Sequence, residues 1–235
     1  MSNVSFVIVA AGRSERYGGP PKVMEIAASK PVITWSIEAA MATASVRDVV
    51  VVTSTATEGG LADIVAGGRW ERSLRIVTGG ARRQDSVLAG IEATDPRTDA
   101  ILIHDGARPL VTPGMIEACV ASTLACGAAI VAVPVTDTIK RVDQSGVIIQ
   151  TVPRSDLWAA QTPQGFRRDV LARAIADADL TGTEYTDEAL LCEALGIPVS
   201  IVPASGANLK LTLRADLDLI SYLLAQRQQP APELA

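Results

Sequence analysis

The sequence contains one histidine, His104, which excludes a multi-histidine metal centre and leaves a hydrolytic triad with a single candidate base. Three cysteines, Cys119, Cys126 and Cys192, show no C-x-x-C or zinc-type spacing. Cys119 and Cys126 fall in an apolar, helix-like run and are expected to face the core. Aromatic residues make up only 3%, so the core must come from Ala, Val, Ile and Leu. No apolar run approaches the roughly 18 residues of a membrane span, and no basic segment with an apolar stretch and cleavage site stands at the N-terminus. A soluble, cytoplasmic protein without a membrane partner is expected. The net charge of −5 argues against a nucleic-acid partner, so any anion site must be a local cluster.

Against these absences, 48% of the 235 residues are hydrophobic, enough for one large α/β domain. Val4 to Val9 is a short apolar run broken only by Ser5, suited to the centre of a covered parallel sheet. It breaks into Ala10-Ala11-Gly12, followed by Arg13, Arg16 and Lys22, with Gly18, Gly19, Pro20 and Pro21 before the lysine. Small residues allow close approach of a ligand to the backbone, and the cations would attract a polyanion. The same composition also suits an ordinary surface loop. It matches neither the G-x-G-x-x-G nor the G-x-x-x-x-G-K-[ST] fingerprint.

Strand and helix then alternate. Helices are expected over 31–44, 61–66, 83–93 and 113–126, and strands over 48–53, 74–78, 100–104 and 129–133. This is the βαβ rhythm of a doubly wound, mostly parallel sheet. The rhythm changes at 138–142 and 147–151, two strand-forming runs flanking Asp143-Gln144-Ser145-Gly146, a hairpin signal. A lone hairpin needs another surface, so 135–155 reads as an arm of a single 1–235 domain, used for dimerisation or folded back on its own domain. Helices over 167–177 and 186–195, a strand over 199–202 and a helix over 214–226 complete the chain, with Thr186 as a possible cap and a Gln/Pro-rich tail expected to fray.

Ligands of open α/β sheets bind beyond the carboxyl ends of the strands. Four polar clusters fall there: 10–22, 79–86, 104–108 and 134–140. Gly79-Gly80 with Arg82, Arg83, Asp85 and Ser86 could aim N–H groups at phosphate or a base edge, or merely start a helix. Asp105 could orient a hydroxyl or help hold Mg²⁺, and Arg108 could grip phosphate, or the two could form a plain loop pair. His104, ending a buried strand, reads as a packing or hydrogen-bonding residue rather than a base. Lys210 could face a site or snorkel at an edge, and Arg154 could be a solvated loop cation.

Taken together and in order, A-A-G-R-S-E-R-Y (10–17), P-K (21–22), G-G-A-R-R-Q-D-S-V (79–87), H-D-G-A-R-P (104–109), P-V-T-D-T-I-K-R (134–141), R-S-D-L-W-A-A-Q-T-P-Q (154–164), T-D-E-A (186–189) and N-L-K-L-T (208–212) resemble one family. It is the 2-C-methyl-D-erythritol 4-phosphate cytidylyltransferases of the non-mevalonate isoprenoid pathway. The resemblance implies a Rossmann-like nucleotidyltransferase fold, CTP as co-substrate, Mg²⁺ or another divalent cation, and a homodimer. It implies that Ala10, Ala11 and Gly12 line the CTP site, that Gly80, Ala81 and Ser86 face cytidine with Arg83 nearby, and that Arg16, Lys22 and Lys210 stabilise transferring phosphate. It further places Asp105, Arg108, Thr162 and Thr186 on the methylerythritol phosphate side, and Thr138 and Arg154 in the partner's arm. Ribitol-5-phosphate cytidylyltransferases are the nearest alternative, a sugar-1-phosphate or molybdopterin nucleotidyltransferase is a more distant one, and a nucleotide-binding or structural protein without catalysis is the non-enzyme one. The chain departs from family habit at Val23, at Gly106, at Leu209, at Arg214 (where a proline is common) and in 25–30, which lacks a glycine-containing turn.

Overall fold

The computed structural model describes the backbone of residues 3–12, 14–181, 185, 187–204 and 207–228, and the side chains of all of these but 179–181. Arg13 and Thr186 lie outside the described residues, as does most of the Gln/Pro-rich tail, whose first residues continue the last helix.

Strand β1 (Val4–Val9) enters a loop that ends in a short 3-10 turn at Lys22–Met24 and a two-residue hairpin, β2 (Ile26–Ala27) and β3 (Lys30–Pro31). Then α1 (Val32–Met41) leads to β4 (Val46–Thr53), α2 (Glu58–Gly67) to β5 (Ser73–Thr78), α3 (Arg83–Glu92) to β6 (Ala100–Asp105), and α4 (Pro113–Cys126) to β7 (Ala128–Pro134). The hairpin β8 (Ile139–Val142) and β9 (Ile148–Val152) follows, then β10 (Trp158–Arg167), α5 (Arg168–Thr181), α6 (Ala189–Ala194), β11 (Ser200–Pro203) and α7 (Ala215–Gln228). No described helix is long and apolar enough to cross a membrane.

Seven strands form one sheet in the order β11-β7-β10-β6-β1-β4-β5. All neighbours are parallel except β10, which runs antiparallel to both β6 and β7. Side chains alternate across the sheet as the pleat requires. Phe6, Ile8, Val49, Val51 and Leu102 pack on one face with Ile33 and Ile37 of α1, Ile116 of α4 and Ile220 of α7. Val7, Val50, Val52, Ile101 and Ile103 pack on the other with Val87 of α3, Leu171 of α5 and Leu191 of α6. The expected mostly parallel α/β sheet, covered on both sides, is therefore present.

Local chemistry explains the element ends. The Thr112 side chain accepts from the Met115 N–H at 3.2 Å, Pro113 opens α4, and Gly127 closes it with φ 94°. In the β8–β9 turn, Asp143 Oδ1 accepts from the N–H of Ser145 at 2.9 Å and of Val147 at 3.0 Å, and Gly146 adopts φ 83°.

Two expectations need correction. Strand β10 is absent from the sequence reading, because Thr162-Pro163-Gln164-Gly165 breaks both alternation and strand propensity. The fold accommodates Pro163 at a register irregularity between Ala160 and Gln164. Cys119 is buried as expected, but Cys126 is exposed, since it ends α4 at the turn out of the helix.

Candidate active site

The chain runs outward from β1 through β4 to β5, returns to β6 on the other side of β1, passes to β7, comes back as β10 into the place between β6 and β7, and reaches its last strand, β11, at the far edge. The order therefore reverses between β1 and β6, the place where open α/β sheets leave a crevice at their carboxyl ends. Backbone bonds lace the loops there together. Ala10 N–H donates to Val52 O at 2.8 Å, Gly79 N–H to Thr53 O at 2.8 Å, and Gly106 N–H to Val9 O at 2.9 Å. Gly79 is forced by close approach: a Cβ there would lie 2.6 Å from Ser86 Oγ and 2.8 Å from Ala11 Cβ.

The first loop is a compact turn. Ser14, at φ 55°, accepts on its carbonyl from Tyr17 N–H at 2.9 Å and Gly18 N–H at 3.2 Å, and its hydroxyl accepts from Lys22 N–H at 3.2 Å. Tyr17 is buried beneath the loop, and the Arg214 guanidinium lies over its ring at 5.2 Å while donating to Gly18 O at 3.3 Å. Arg16 and Gly12 are exposed and Lys22 is half-buried. Burial lowers the Lys22 pKa, and the positive charges of Lys210 and Arg16 lower it further, which marks these three cations as neighbours.

Asp105, the last residue of β6, is the hub. Its Oδ2 accepts from Lys210 Nζ at 2.6 Å, Arg108 Nε lies 3.7 Å from the same oxygen, and Arg83 Nη2 lies 3.8 Å from Oδ1. Burial would raise its pKa, but Lys210, Arg83 and Arg108 together hold it down at about 2. Arg108 Nη1 donates to Asn208 O at 2.9 Å, tying the Lys210 segment to this loop, and Leu211 N–H donates to Ala107 O at 2.8 Å. Arg83, opening α3, forms a two-point pair with Glu188, Nη1 to Oε1 at 2.5 Å and Nη2 to Oε2 at 3.1 Å.

Behind the hub runs a chain of buried hydrogen bonds. Asp105 N–H donates to Thr162 Oγ1 at 3.0 Å, and that hydroxyl sits 3.0 Å from His104 Nδ1. His104 Nε2 faces Arg108 O at 3.2 Å. A carbonyl only accepts, so Nε2 carries the proton and Nδ1 accepts from Thr162. Burial pushes the His104 pKa down to about 4, so the ring is a neutral strut and not a base at neutral pH.

The structure thus brings Arg16, Lys22, Arg83, Asp105, Arg108 and Lys210 to one end of the sheet, beside the loop of Ala10, Ala11 and Gly12. Other expected residues differ in role. Thr162 is only 4% exposed and its hydroxyl is already committed to Asp105 and His104, so it stands behind the site. The Ser86 hydroxyl is likewise buried, accepting from Gly80 N–H at 3.2 Å and shaping the Gly80-Ala81 loop. Thr138 and Arg154 sit exposed at the base of the arm, where Arg154 donates to Thr136 O; no hydrogen bond or ion pair among the described residues joins either to Asp105. Sequence reading missed the buried partners Glu188, Gln164 and Asn208, because nothing local to an acid or amide signals that it is buried.

No group of three or more metal-type ligands exists among the described residues. Asp105, the carboxylate at the centre of the cation cluster, is already gripped by Lys210. This donor set does not build a protein-held Mg²⁺ site; a hard cation would have to bring most of its oxygen ligands with it.

Comparisons with known proteins identify the family. Residues 4–226 match the family model described as 2-C-methyl-D-erythritol 4-phosphate cytidylyltransferase. A relative of that name from Parasynechococcus marenigrum is 42% identical over 225 residues, covering 95% of this chain and 98% of the relative. One from Frankia casuarinae is 38% identical, covering 98% and 84%. Among solved structures, the 2-C-methyl-D-erythritol 4-phosphate cytidylyltransferase of Thermus thermophilus superposes with a TM-score of 0.77 at 30% identity, covering 96% of this chain and all (100%) of that one. With the match running through every strand-end cluster, the chain belongs to the 2-C-methyl-D-erythritol 4-phosphate cytidylyltransferase family.

Proposed function

We propose that the carboxyl end of the sheet binds CTP and 2-C-methyl-D-erythritol 4-phosphate and transfers CMP between them, releasing pyrophosphate. The observation that carries this reading is the charge imbalance around Asp105. Five cations, Arg16, Lys22, Arg83, Arg108 and Lys210, converge there, against Asp105, which three of them approach, Asp216 and Asp187, whose charges act on Lys22 and Arg83, and Glu188, which is buried against Arg83. Lys22 already feels net repulsion from its neighbours, which a polyanion would relieve.

In this reading Ala10, Ala11 and Gly12 let the triphosphate approach the backbone, and Arg16 and Lys22 bind its oxygens. Gly80 and Ala81, held in shape by Ser86, face the cytidine. Arg108 and Asp105 receive the methylerythritol phosphate, whose phosphate oxygen attacks the α-phosphorus of CTP in line. The bond from that phosphorus to the oxygen bridging to the β-phosphate breaks, and pyrophosphate carries away the electron pair. The nucleophile is already ionised, so no base is required, and His104 is not needed as one. Charge building on the nonbridging oxygens is met by Lys22, Arg16 and Lys210, fixed before the reaction begins. Mg²⁺ belongs to this reading as part of the nucleotide substrate, since Asp105 alone offers too few oxygens to hold it.

A homodimer is part of the proposal. The β8–β9 arm leaves Val142, Val147, Ile148 and Ile149 at 50%, 60%, 59% and 60% exposure, more apolar surface than an isolated hairpin can keep in water. A second copy covering it would carry Thr138 and Arg154 towards its own crevice. The reading is of a cytoplasmic enzyme of charged small molecules.

The test is pyrophosphate release with CTP, UTP, ATP and GTP, each crossed with methylerythritol phosphate and ribitol 5-phosphate. Turnover with CTP and methylerythritol phosphate is expected. Turnover with ribitol 5-phosphate alone would overturn the assignment.

A further inference from the structure

One buried charge near the crevice has no part in the chemistry described above. Glu188 precedes α6, and its side chain is 1% exposed, so it can touch neither substrate. Burial pushes its pKa up against the pull of Arg83, as expected for a carboxylate that water does not reach. Its backbone is fixed from both sides by β10. Gln164 Oε1 accepts from Ala189 N–H at 3.3 Å, Gln164 Nε2 donates to Asp187 Oδ2 at 3.2 Å, and Asp187 Oδ1 accepts from Leu190 N–H at 3.2 Å. A carboxylate brought into the interior on so rigid a mount has to be paired, and its partner is Arg83.

Arg83 stands between two carboxylates. Both terminal nitrogens are within hydrogen-bond reach of Glu188, while Nη2 stops 3.8 Å from Asp105 Oδ1. Asp105 meanwhile holds Lys210 at 2.6 Å through its other oxygen. The signs alternate along Glu188, Arg83, Asp105 and Lys210, and the one gap in the series is the one between Arg83 and Asp105.

We propose that Glu188 is a positioning residue that holds Arg83 short of Asp105, keeping Asp105 paired with Lys210 and the open side of the Arg83 fork available to substrate. Remove the Glu188 charge, and Arg83 closes on Asp105, competes with Lys210 for it, and disturbs both halves of the crevice. The inference rests on the reading of this crevice as the cytidylyltransferase centre.

The experiment is a double-mutant cycle in kcat/KM for pyrophosphate release, using Glu188→Gln, Arg83→Gln and the double variant, with thermal unfolding of each as a check on folding. Glu188→Gln is expected to lose roughly 10- to 100-fold, the scale of a misplaced active-site group. The double variant is expected to match Arg83→Gln within roughly twofold, because a residue acting only through Arg83 adds nothing once Arg83 is gone. Glu188→Asp should recover part of the loss. Unchanged kcat/KM in Glu188→Gln, or losses that multiply in the double variant, would overturn the inference. If Glu188→Gln alone does not fold, the double variant against Arg83→Gln decides, since it leaves neither charge buried alone: a match supports the inference and a further loss overturns it. Wild-type protein inert towards CTP and methylerythritol phosphate would instead overturn the reading of the site.

Discussion

The two ends of the sheet carry similar residues and use them differently. At the amino end, Asp48 is buried and fully partnered: Arg75 Nη2 reaches both of its oxygens at 2.7 Å, Ser5 Oγ donates at 3.1 Å, and Asp95 N–H donates at 3.0 Å. Asp95 pairs with Arg97, and Arg168 donates to Thr94, Asp95 and Thr98. A groove of about 490 Å³ opens there, lined by Arg47, Asp48, Ser73, Arg75, Asp95 and Arg97, yet Arg75 and Arg97 are already spent on carboxylates. At the carboxyl end the cations outnumber the carboxylates, and Lys22 is crowded by charges of its own sign. A cavity is therefore a weaker guide to chemistry than an unbalanced charge. One end is an electrostatically closed structure, and the other is completed by an anion.

The comparison breaks most decisively if matched cation deletions behave alike. Lys22→Ala should lower kcat/KM by roughly 10²- to 10³-fold, the scale of losing a donor to transition-state charge. Arg97→Ala at the amino end should leave turnover unchanged. Equal losses, measured side by side in the pyrophosphate assay, would erase the distinction between the ends.

Acid sharpens it next. In the fold His104 takes a proton only near pH 4, whereas the unfolded chain takes one near 6.5, so the unfolded state binds more protons between those values. Stability should therefore fall as pH drops from 6.5 towards 4, by about 3 kcal/mol from this group. Asp105, held at about 2 against 3.8 when unfolded, adds a loss of the same sign at lower pH. Urea unfolding midpoints at pH 7 and 4.5 should differ markedly in the wild type and much less in His104→Asn. An unchanged slope in that variant would place the acid sensitivity elsewhere.

The smallest effect concerns strain. Both non-glycine residues with positive φ among those described, Ser14 and Ala28, lie between β1 and α1, in the segment that carries Arg16 and Lys22. Ala28, at φ 60°, occupies the tight turn of the β2–β3 hairpin where the sequence lacks glycine. Ala28→Gly should stabilise by about 0.5–1 kcal/mol with turnover unchanged, since glycine relieves the Cβ clash but orders at greater entropic cost. A destabilised variant in the same urea titration would show that no strain is held there.

Much of this was legible in the residues. The parallel strands are β-branched runs that no helix period explains, and Asp143 to Gly146 announces the arm's turn in the residues themselves. The first loop, Asp105 and Arg108 could be gathered because they fall at strand ends, whereas Lys210, open between a site and an edge on its own residues, joined them only through the family resemblance. What stayed hidden was decided by tertiary contact. Strand β10 is held in the sheet by neighbours on both sides, so it tolerates a Thr-Pro-Gln-Gly core that local propensity rejects. Glu188, Gln164 and Asn208 look like surface residues until packing buries them. Thr162 carries the expected motif, but its hydroxyl is engaged inside the fold, by Asp105 N–H and His104, which no local pattern announces.

The most direct test of the account is a crystal structure of the protein with CTP and Mg²⁺. The triphosphate is expected across the backbone of Ala10 to Gly12, within hydrogen-bond distance of Arg16 and Lys22, with the metal held chiefly by phosphate oxygens. Nucleotide seated instead in the groove of Arg75 and Arg97, or a metal held by protein carboxylates away from the phosphates, would contradict it.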